Sequence, residues 1–331
     1  GLGIGTYFYR VRAVNGCGNT TSSSSLVQTV TTVNPSATIS GTTSVCQNAA
    51  SPNITFANPT SSAITVTYRI NSGANQTINV GANTTANVAA PTTTSGTFAY
   101  SLVSVVYQSA PSCSTTITGT ATITVNPPPT VTFTAQPGAT ACSNTNVTYT
   151  TQSGQTNYVW VVPGTLGTDY SISSGGIGST SNTVTLQWLT AGSKTVTINY
   201  TGSGGCTATA ATSSTATTVT LRPTAPTIGT ITHPTCTVAT GTFQIIAFDS
   251  ARTYTFTPAV LSISGTGLVS ANPDTYSFTV DNAAGCISLP TSVIIDPQQL
   301  KTWKGTTSTD WHTASNWSPS GVPTDSDCVV I

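Results

Sequence analysis

Eight cysteines are the residues of this sequence with the clearest chemical potential, and their spacing favours disulfide bonds over metal binding. No two of them form a CxxC pair, and the 331 residues include only two histidines, His233 and His312. A four-ligand zinc site needs closely spaced cysteines or histidines, so the sequence predicts no metal site and no cofactor. Free buried thiols in a cytosolic protein are the alternative. The regular spacing in a Thr- and Ser-rich background favours disulfides, which form outside the cytosol.

Pairing neighbouring cysteines after the first gives three bonds, each enclosing a span suited to one small β-sandwich. The predicted pairs are Cys46 with Cys113, Cys142 with Cys206, and Cys236 with Cys286. Cys17 and Cys328 are then left over, and we expect truncation of the first and last modules to have removed their partners. Closing loops of this length stabilises each module by about 4 kcal/mol in the chain-entropy description. Whether each bond crosses a core or clips its margin is left open by the sequence.

Catalytic chemistry has little support in the remaining residues. All eight acidic residues are Asp, no Glu occurs, and no pair of carboxylates stands out as glycoside hydrolysis would require. No GxSxG motif precedes a helical pattern, and no DxDxDG calcium loop occurs. We therefore predict a protein that is not an enzyme.

Charge and hydropathy exclude two further classes of partner. Only 5% of the residues are charged, with eight Lys and Arg against eight Asp. Binding to nucleic acid or to an anionic membrane needs clustered Lys and Arg, so neither is expected. No apolar run is long enough to cross a membrane and no signal peptide is recognisable, so we expect the export signals to lie outside this segment.

Alternation of β-branched and aromatic residues with polar ones predicts β-strands along the whole sequence. In ITVTYRI, residues Ile64, Val66, Tyr68 and Ile70 are expected to point inward, and the turn NSGAN before QTINV predicts a hairpin. A Thr- and Val-rich strand that runs into proline recurs at TVTTVNP, TITVNPPP, VTLRPTAP and VIIDP. Each is interpreted as a last strand followed by a semi-rigid linker, so we expect several small β-sandwiches in tandem.

Tryptophans offer a second kind of chemistry, because exposed indole rings can stack on sugars. Trp160 alternates with valines in NYVWVV, so a core position is expected for it. Trp188, Trp311 and Trp317 are candidate glycan platforms, with core packing favoured for Trp311 and Trp317 and both roles left open for Trp188.

Several phrases resemble repeats of known surface proteins. TISGTTSVCQNAASPNITFAN and TFAYSLVSV look like the immunoglobulin-like repeats of very large secreted surface proteins of the Bacteroidota. YVWVVP and NTVTLQW resemble the PKD-like repeats of the same proteins, and HPTCTVATGTF with YSFTVDNAAGC resembles a repeat of gliding-motility adhesins of the SprB type. WKGTTSTDWHTASNWSPSGVP resembles a segment that these proteins often carry towards the C-terminal end.

The resemblance and the proline boundaries together predict an all-β fold of tandem immunoglobulin-like and PKD-like β-sandwich modules in an elongated array. The predicted modules are 1–33, the C-terminal half of an immunoglobulin or fibronectin III-like module; 34–126, immunoglobulin-like; 127–221, PKD-like; 222–297, a shorter immunoglobulin-like module; and 298–331, the start of a Trp-rich module.

The resemblance also implies export by the type IX secretion system and display on the outer cell surface. In that setting Asp249, Ser250 and Ala251 match the short Bacteroidota O-glycosylation acceptor pattern, with a plain turn as the alternative. The expected function is an adhesive stalk that displays a binding tip, with neighbouring modules and an extracellular surface or glycan as partners. A carbohydrate-binding array and passive spacers of a secreted enzyme are the competing hypotheses.

Overall fold

The computed structural model describes residues 34–109, 112–324 and 327–331, and nearly all regular structure within these ranges is β-strand. The single exception among them is a short 3-10 turn at Ala314–Asn316. The predicted all-β fold of tandem β-sandwich modules is confirmed. The predicted half-module 1–33, with Cys17, lies outside the described residues. None of the residues described belongs to a helix long and apolar enough to pass through a membrane.

Two compact units make up the described chain. The first holds the described residues up to Thr132 together with Gln152–Val159 and Ile198–Thr212. The second holds Phe133–Thr151, Trp160–Thr197 and Ser213–Ile331. The limits of the individual modules, as drawn from the proline linkers, stay predictions.

The first sandwich contains nine strands in two sheets. The strands are β1 (Thr38–Ser40), β2 (Thr43–Cys46), β3 (Asn53–Ala57), β4 (Ile64–Ile70), β5 (Asn75–Val80), β6 (Thr85–Ala89), β7 (Gly96–Tyr107), β8 (Ser114–Thr116) and β9 (Thr120–Asn126). One sheet has the order β1-β3-β6, and the other has the order β2-β9-β7-β4-β5, with β8 paired to β7. Strand β2 runs parallel to β9, whereas the other pairs in these sheets are antiparallel.

The core of this sandwich follows the alternation read from the sequence. Ile64, Val66 and Tyr68 are buried as predicted, while Ile70 at the end of the strand is half-buried. The predicted hairpin is present, because β4 and β5 pair antiparallel from Ile64↔Val80 onward. Rings of both sheets meet inside, with the centroids of Phe56 and Tyr68 4.8 Å apart. Because Phe56 lies in β3 and Tyr68 in β4, this contact ties one sheet to the other.

Residues 133–220 form ten further strands. They are β10 (Phe133–Ala135), β11 (Thr140–Cys142), β12 (Asn146–Thr151), β13 (Thr156–Val161), β14 (Tyr170–Gly175), β15 (Thr183–Trp188), β16 (Gly192–Lys194), β17 (Thr197–Thr201), β18 (Thr212–Ser213) and β19 (Thr217–Thr220). The sheet orders are β10-β12-β15-β14, β11-β19-β16 and β13-β17-β18. As in the first sandwich, the early strand β11 runs parallel to the late strand β19.

Tryptophan burial in this region settles two sequence predictions. Trp160 is buried as expected, and its Nε1 donates a hydrogen bond to the carbonyl oxygen of Ser181 at 2.7 Å. Trp188 is fully buried, with its ring centroid 6.0 Å from that of Tyr170. The hypothesis that Trp188 is a glycan platform is therefore wrong, because period-two alternation in β15 turns its ring inward together with Val184 and Leu186.

A smaller sandwich follows, with seven strands. They are β20 (Thr227–Thr232), β21 (Gly241–Ile246), β22 (Tyr254–Thr257), β23 (Ser262–Ile263), β24 (Leu268–Ala271), β25 (Asp274–Val280) and β26 (Thr291–Ile295). The sheets have the orders β20-β21-β24-β23 and β22-β25-β26. Tyr276, Phe278 and Val280 form the predicted inward row of β25.

The last described residues form a three-stranded sheet of order β28-β27-β29. Its strands are β27 (Gln299–Trp303), β28 (Trp317–Ser318) and β29 (Asp327–Val330). Strand β29 runs parallel to β27, with Cys328 opposite Leu300.

Phe278→Ala tests the core of the smaller sandwich. Phe278 is 1% exposed, and its ring lies 4.8 Å from that of Phe256 and 5.8 Å from that of Phe243. Removing it leaves a cavity between the two sheets, so we expect the opening free energy of this core to fall by about 3–5 kcal/mol. The measurement is hydrogen–deuterium exchange of the slowest amides of β21. Ser277→Ala changes an exposed neighbour in the same strand and should stay within about 0.5 kcal/mol of the native protein; equal effects would disprove the assigned core.

Candidate functional site: the disulfide clamps

Two cysteines near the start of their sandwiches lie in the same type of turn. Cys46 ends β2 and Cys142 ends β11, and each is followed after one residue by an asparagine with positive φ, 64° at Asn48 and 56° at Asn144. Asparagine tolerates this left-handed conformation better than most residues. The backbone amide of the intervening residue, Gln47 or Ser143, donates a hydrogen bond to the carbonyl oxygen of the last residue of the final strand. We call this arrangement the Cys-x-Asn turn.

In the Cys-x-Asn turns, the parallel pairing of the early and final strands fixes where the cysteine lies. Cys46 is opposite Asn126, the last residue of β9, and Cys142 is opposite Thr220, the last residue of β19. The carbonyl oxygens of Asn126 and Thr220 accept the amides that follow these cysteines, at 2.8 Å in both turns. Each cysteine is thereby held at the point where the chain leaves its sandwich.

Two cysteines late in the following sandwiches lie in a second type of turn. In residues 202–206 and 282–286, the first amide donates to the carbonyl of the cysteine, and the glycine amide donates back to the carbonyl of the first residue. The glycine before the cysteine has positive φ in both turns, 78° at Gly205 and 77° at Gly285. An L side chain would be strained there, which explains the Gly-Cys dipeptide. We call this arrangement the Gly-Cys turn.

Each Cys-x-Asn turn is bonded to a Gly-Cys turn that lies much further along the chain. Cys46 bonds to Cys206 across 160 residues, with a Cα–Cα distance of 5.5 Å. Cys142 bonds to Cys286 across 144 residues, with a Cα–Cα distance of 5.6 Å. The sulfurs of Cys206 and Cys286 also lie within 3.8 Å of the carbonyl oxygens that end the final strands. We call each bond with its two turns a clamp.

The predicted pairing of neighbouring cysteines is therefore wrong. Cys46, Cys142, Cys206, Cys236 and Cys286 are all in disulfides, but none with the predicted partner. Cys113 is also disulfide-bonded, though not to Cys46. The described part of the chain contains no free cysteine.

Strand length explains why Cys46 does not meet Cys113. Cys46 lies beside the end of β7 that begins at Gly96, because β9 pairs Val125 with Gly96. Cys113 lies at the other end, where its carbonyl accepts the Tyr107 amide. The 12 residues of β7 span roughly 35 Å, whereas a disulfide requires Cα atoms about 4.4–6.8 Å apart.

Cys328, which was expected to be unpaired, is the partner of Cys236. The Cα atoms of this pair are 5.3 Å apart, and the bond spans 92 residues. The side-chain amide of Gln298 contacts the Cys328 sulfur. This bond joins the loop after β20 to β29, so Cys328 needs no partner from beyond the described residues.

Polar contacts reinforce the second clamp. Arg222 Nε donates to the carbonyl oxygen of Ile287 at 2.8 Å, and its Nη2 donates to that of Ser288 at 3.4 Å. The Asn282 side chain donates to the carbonyl oxygen of Leu221 at 3.0 Å. These bonds attach the segment after β19 to the loop that carries Cys286.

The first clamp has a matching set of contacts. Asn126 Nδ2 donates to the carbonyl oxygen of Gly204 at 2.9 Å. The Tyr200 hydroxyl donates to the Thr130 carbonyl at 3.1 Å, and the Thr212 hydroxyl donates to the Val131 carbonyl at 2.8 Å. Both clamps therefore combine one covalent bond with hydrogen bonds that satisfy the backbone of the proline-rich segment between strands.

Three tryptophans at residues 303–317 pack on one another. The rings of Trp303 and Trp311 are stacked with centroids 5.9 Å apart, and Trp317 meets Trp311 edge-on at 4.4 Å. Trp317 is 2% exposed, so its proposed role as a glycan platform is wrong: its ring fills this small core and its Nε1 donates to the Trp311 carbonyl. Trp311 is 38% exposed, and contact with glycans through it stays a prediction.

Ser250 lies exposed in a turn, where the candidate glycosylation pattern places it. The Ala251 amide and then the Arg252 guanidinium hydrogen-bond to Asp249 and hold the pKa of its carboxyl below the usual value. The carboxylate thus caps the turn, and modification of Ser250 stays a prediction. Within the described ranges, no three His, Cys, Asp or Glu side chains are grouped so that they could hold a metal ion.

Comparisons with known proteins find similarity in solved structures alone. No protein-family model matches the chain, and no curated protein matches its sequence. The structure of "Sidekick-1 immunoglobulin domains 1-5" is 11% identical with a TM-score of 0.33; the match covers 80% of this chain and 59% of that one. An adhesin described as Ca²⁺-stabilized and helping "an Antarctic bacterium reach out and bind ice" is 16% identical with a TM-score of 0.40, covering 84% and 80%.

The fibronectin(III)-like modules of Clostridium thermocellum CbhA are 14% identical with a TM-score of 0.24, and the match covers 56% of this chain and 94% of theirs. This chain spans less than two thirds of the Sidekick-1 structure. These similarities are distant.

Arg222→Ala tests the hydrogen bonds of the second clamp. Loss of the guanidinium leaves the carbonyls of Ile287 and Ser288 without their donor, so the loop 281–288 should open more readily by about 1 kcal/mol. We expect roughly fivefold faster hydrogen–deuterium exchange in that loop. Arg252→Ala is the matched control, because Arg252 pairs with Asp249 in another turn. Unchanged exchange in Arg222→Ala would show that the disulfide alone holds the loop.

Proposed function

We propose that this chain is a structural segment of an extracellular surface protein, a stalk that holds a binding region away from the cell. The observation that carries the proposal is the set of clamps, in which the exit end of one group of strands is bonded to a turn far downstream. Bonds of this kind join parts of a chain that a proline-rich linker alone would leave free to reorient. A stalk needs that restriction.

The proposed setting is extracellular. Every cysteine in the described part of the chain is disulfide-bonded, which is the pattern of proteins that mature in an oxidising compartment. Little net charge and few charged residues fit a surface that faces its environment without attracting nucleic acid. Placement in a Bacteroidota adhesin that is exported by type IX secretion and acts in gliding is supported by the resemblance of the quoted repeat phrases.

A non-catalytic role is part of this proposal. The buried polar side chains serve turns and strand edges: Asn58 holds the carbonyls of Ser62 and Gly81, and Asn316 holds the amides of Thr307 and Ser308. The described Asp residues with lowered pKa values, among them Asp169 and Asp327, owe the shift first to backbone amides of their own turns. Their hydrogen-bonding capacity is used in shaping loops.

Small-angle X-ray scattering of the oxidised chain tests the proposed stalk. Three sandwiches placed end to end, with strands of about eight residues rising roughly 3.3 Å per residue, reach on the order of 100 Å. We therefore expect a maximum dimension of about 100 Å or more. A compact globule of the same number of residues has a radius of gyration of only about 20 Å. A radius of gyration of about 20 Å, the same as that of a globular standard of equal mass, would contradict the proposal.

A further inference from the structure

The disulfides Cys46–Cys206, Cys142–Cys286 and Cys236–Cys328 overlap along the sequence, and this overlap gives the chain a mechanical property. Cys142 lies between Cys46 and Cys206 in the sequence, so the second bond begins inside the loop of the first. Cys236 lies between Cys142 and Cys286 in the same way. The third bond, Cys236–Cys328, therefore begins inside the loop of the second and ends beyond it. Each of these covalent loops therefore shares part of the chain with the next one, instead of following it without overlap.

The shortest covalent route through this network uses very little of the backbone. From Cys46 it crosses to Cys206, follows the chain to Cys236, and crosses to Cys328. About 30 residues of backbone lie on this route, against about 280 between Cys46 and Cys328 along the chain. Fully extended, these lengths correspond to about 100 Å and about 950 Å.

We propose that the overlapping disulfides act as an extension limiter, which carries tension through residues 206–236 and keeps it from the ends of the loops 47–205 and 237–327. When Cys46 and Cys328 are pulled apart, this short route becomes taut first, because every alternative route is longer. Tension cannot then reach the loops 47–205 and 237–327 as a pull on their ends. The value of such a limiter to the cell rests on the proposed stalk function, whereas the limit itself follows from the bonding.

Hydrogen bonds and strand pairing attach the taut segment to neighbouring parts of the chain. It contains β18, β19 and β20 and the linker with Arg222, whose guanidinium holds the Cys286 loop. Strand β19 is paired on both sides, in parallel with β11 and antiparallel with β16. Strand β20 is paired with β21, so full extension of the segment requires β19 and β20 to leave their sheets.

Bonds within sandwiches would behave differently. If each early cysteine were paired with the next one, as neighbouring spacing predicts, the shortest route from Cys46 to Cys328 would contain about 100 residues and extend to about 340 Å. In that arrangement, removing any one of the three bonds would lengthen the route. The observed pairing makes the middle bond irrelevant to the limit.

Single-molecule force spectroscopy on the full chain tests the limiter. Clickable amino acids at exposed Thr43 and Val330 attach the handles just outside the outer cysteines. We expect the oxidised protein to stop extending at a contour length on the order of 100 Å, and the same protein in reductant to reach about 950 Å in several unfolding steps. The oxidised and reduced forms share one sequence, so folding of a variant is not at issue.

Two double variants then identify the route. Cys142→Ala with Cys286→Ala removes the middle bond and should leave the limit at about 100 Å. Cys236→Ala with Cys328→Ala removes an outer bond and should raise the limit to about 350 Å, because tension must then pass through residues 142–206 and 286–328. A longer limit in the first variant, or an oxidised limit near 340 Å in the native protein, would overturn the proposal.

The outcome is separable from that of the stalk proposal. A compact scattering profile with a force limit near 100 Å would refute the stalk and leave the limiter intact. An extended profile with a force limit of several hundred ångströms would refute the limiter alone.

Discussion

The parallel pairing of an early strand with the final strand of the same sandwich is the constraint on which the two clamps depend. Because β2 runs alongside β9 in the same direction, Cys46 reaches the end of the sandwich together with Asn126. The pairing of β11 with β19 does the same for Cys142 and Thr220. An antiparallel early strand would have delivered each cysteine to the opposite end. Strand direction thus decides which cysteines can meet, since a disulfide tolerates only a few ångströms between Cα atoms.

Each clamp bonds the end of a final strand region to a turn far downstream and uses the same backbone carbonyl twice. The carbonyl of the last strand residue accepts an amide from the Cys-x-Asn turn and also faces the sulfur of the Gly-Cys turn. Small cores provide limited stabilisation by themselves, so long covalent loops that restrict the unfolded chain are a natural supplement. Asparagine and glycine in the left-handed region make the two turns possible without strain.

Much of the fold was predictable because it follows from local periodicity. Alternation in β4 and β25 correctly gave the inward rows, the turn before β5 gave a hairpin, and Trp160 was placed in a core. The disulfide partners were not predictable from spacing, because spacing along the chain carries no information on strand direction. Trp188 and Trp317 were ambiguous for the same reason, since burial of a ring depends on the layer that covers it.

Two sequence signals did point towards the clamps. CQN at residues 46–48 and CSN at 142–144 place asparagine two positions after cysteine, and GC at 205–206 and 285–286 places glycine just before it. These patterns assign Cys46 and Cys142 to one type of turn and Cys206 and Cys286 to another, and the structure joins one type to the other. Cys236 lacks the asparagine and Cys328 lacks the glycine, which marks their bond as a different junction.

Disulfide mapping tests the central claim most directly. The oxidised protein is alkylated, digested without reduction, and analysed by mass spectrometry for cross-linked peptides. The account predicts peptides that join Cys46 to Cys206, Cys142 to Cys286, and Cys236 to Cys328. Peptides that join Cys46 to Cys113 or Cys142 to Cys206, or alkylation of these cysteines as free thiols, would contradict it.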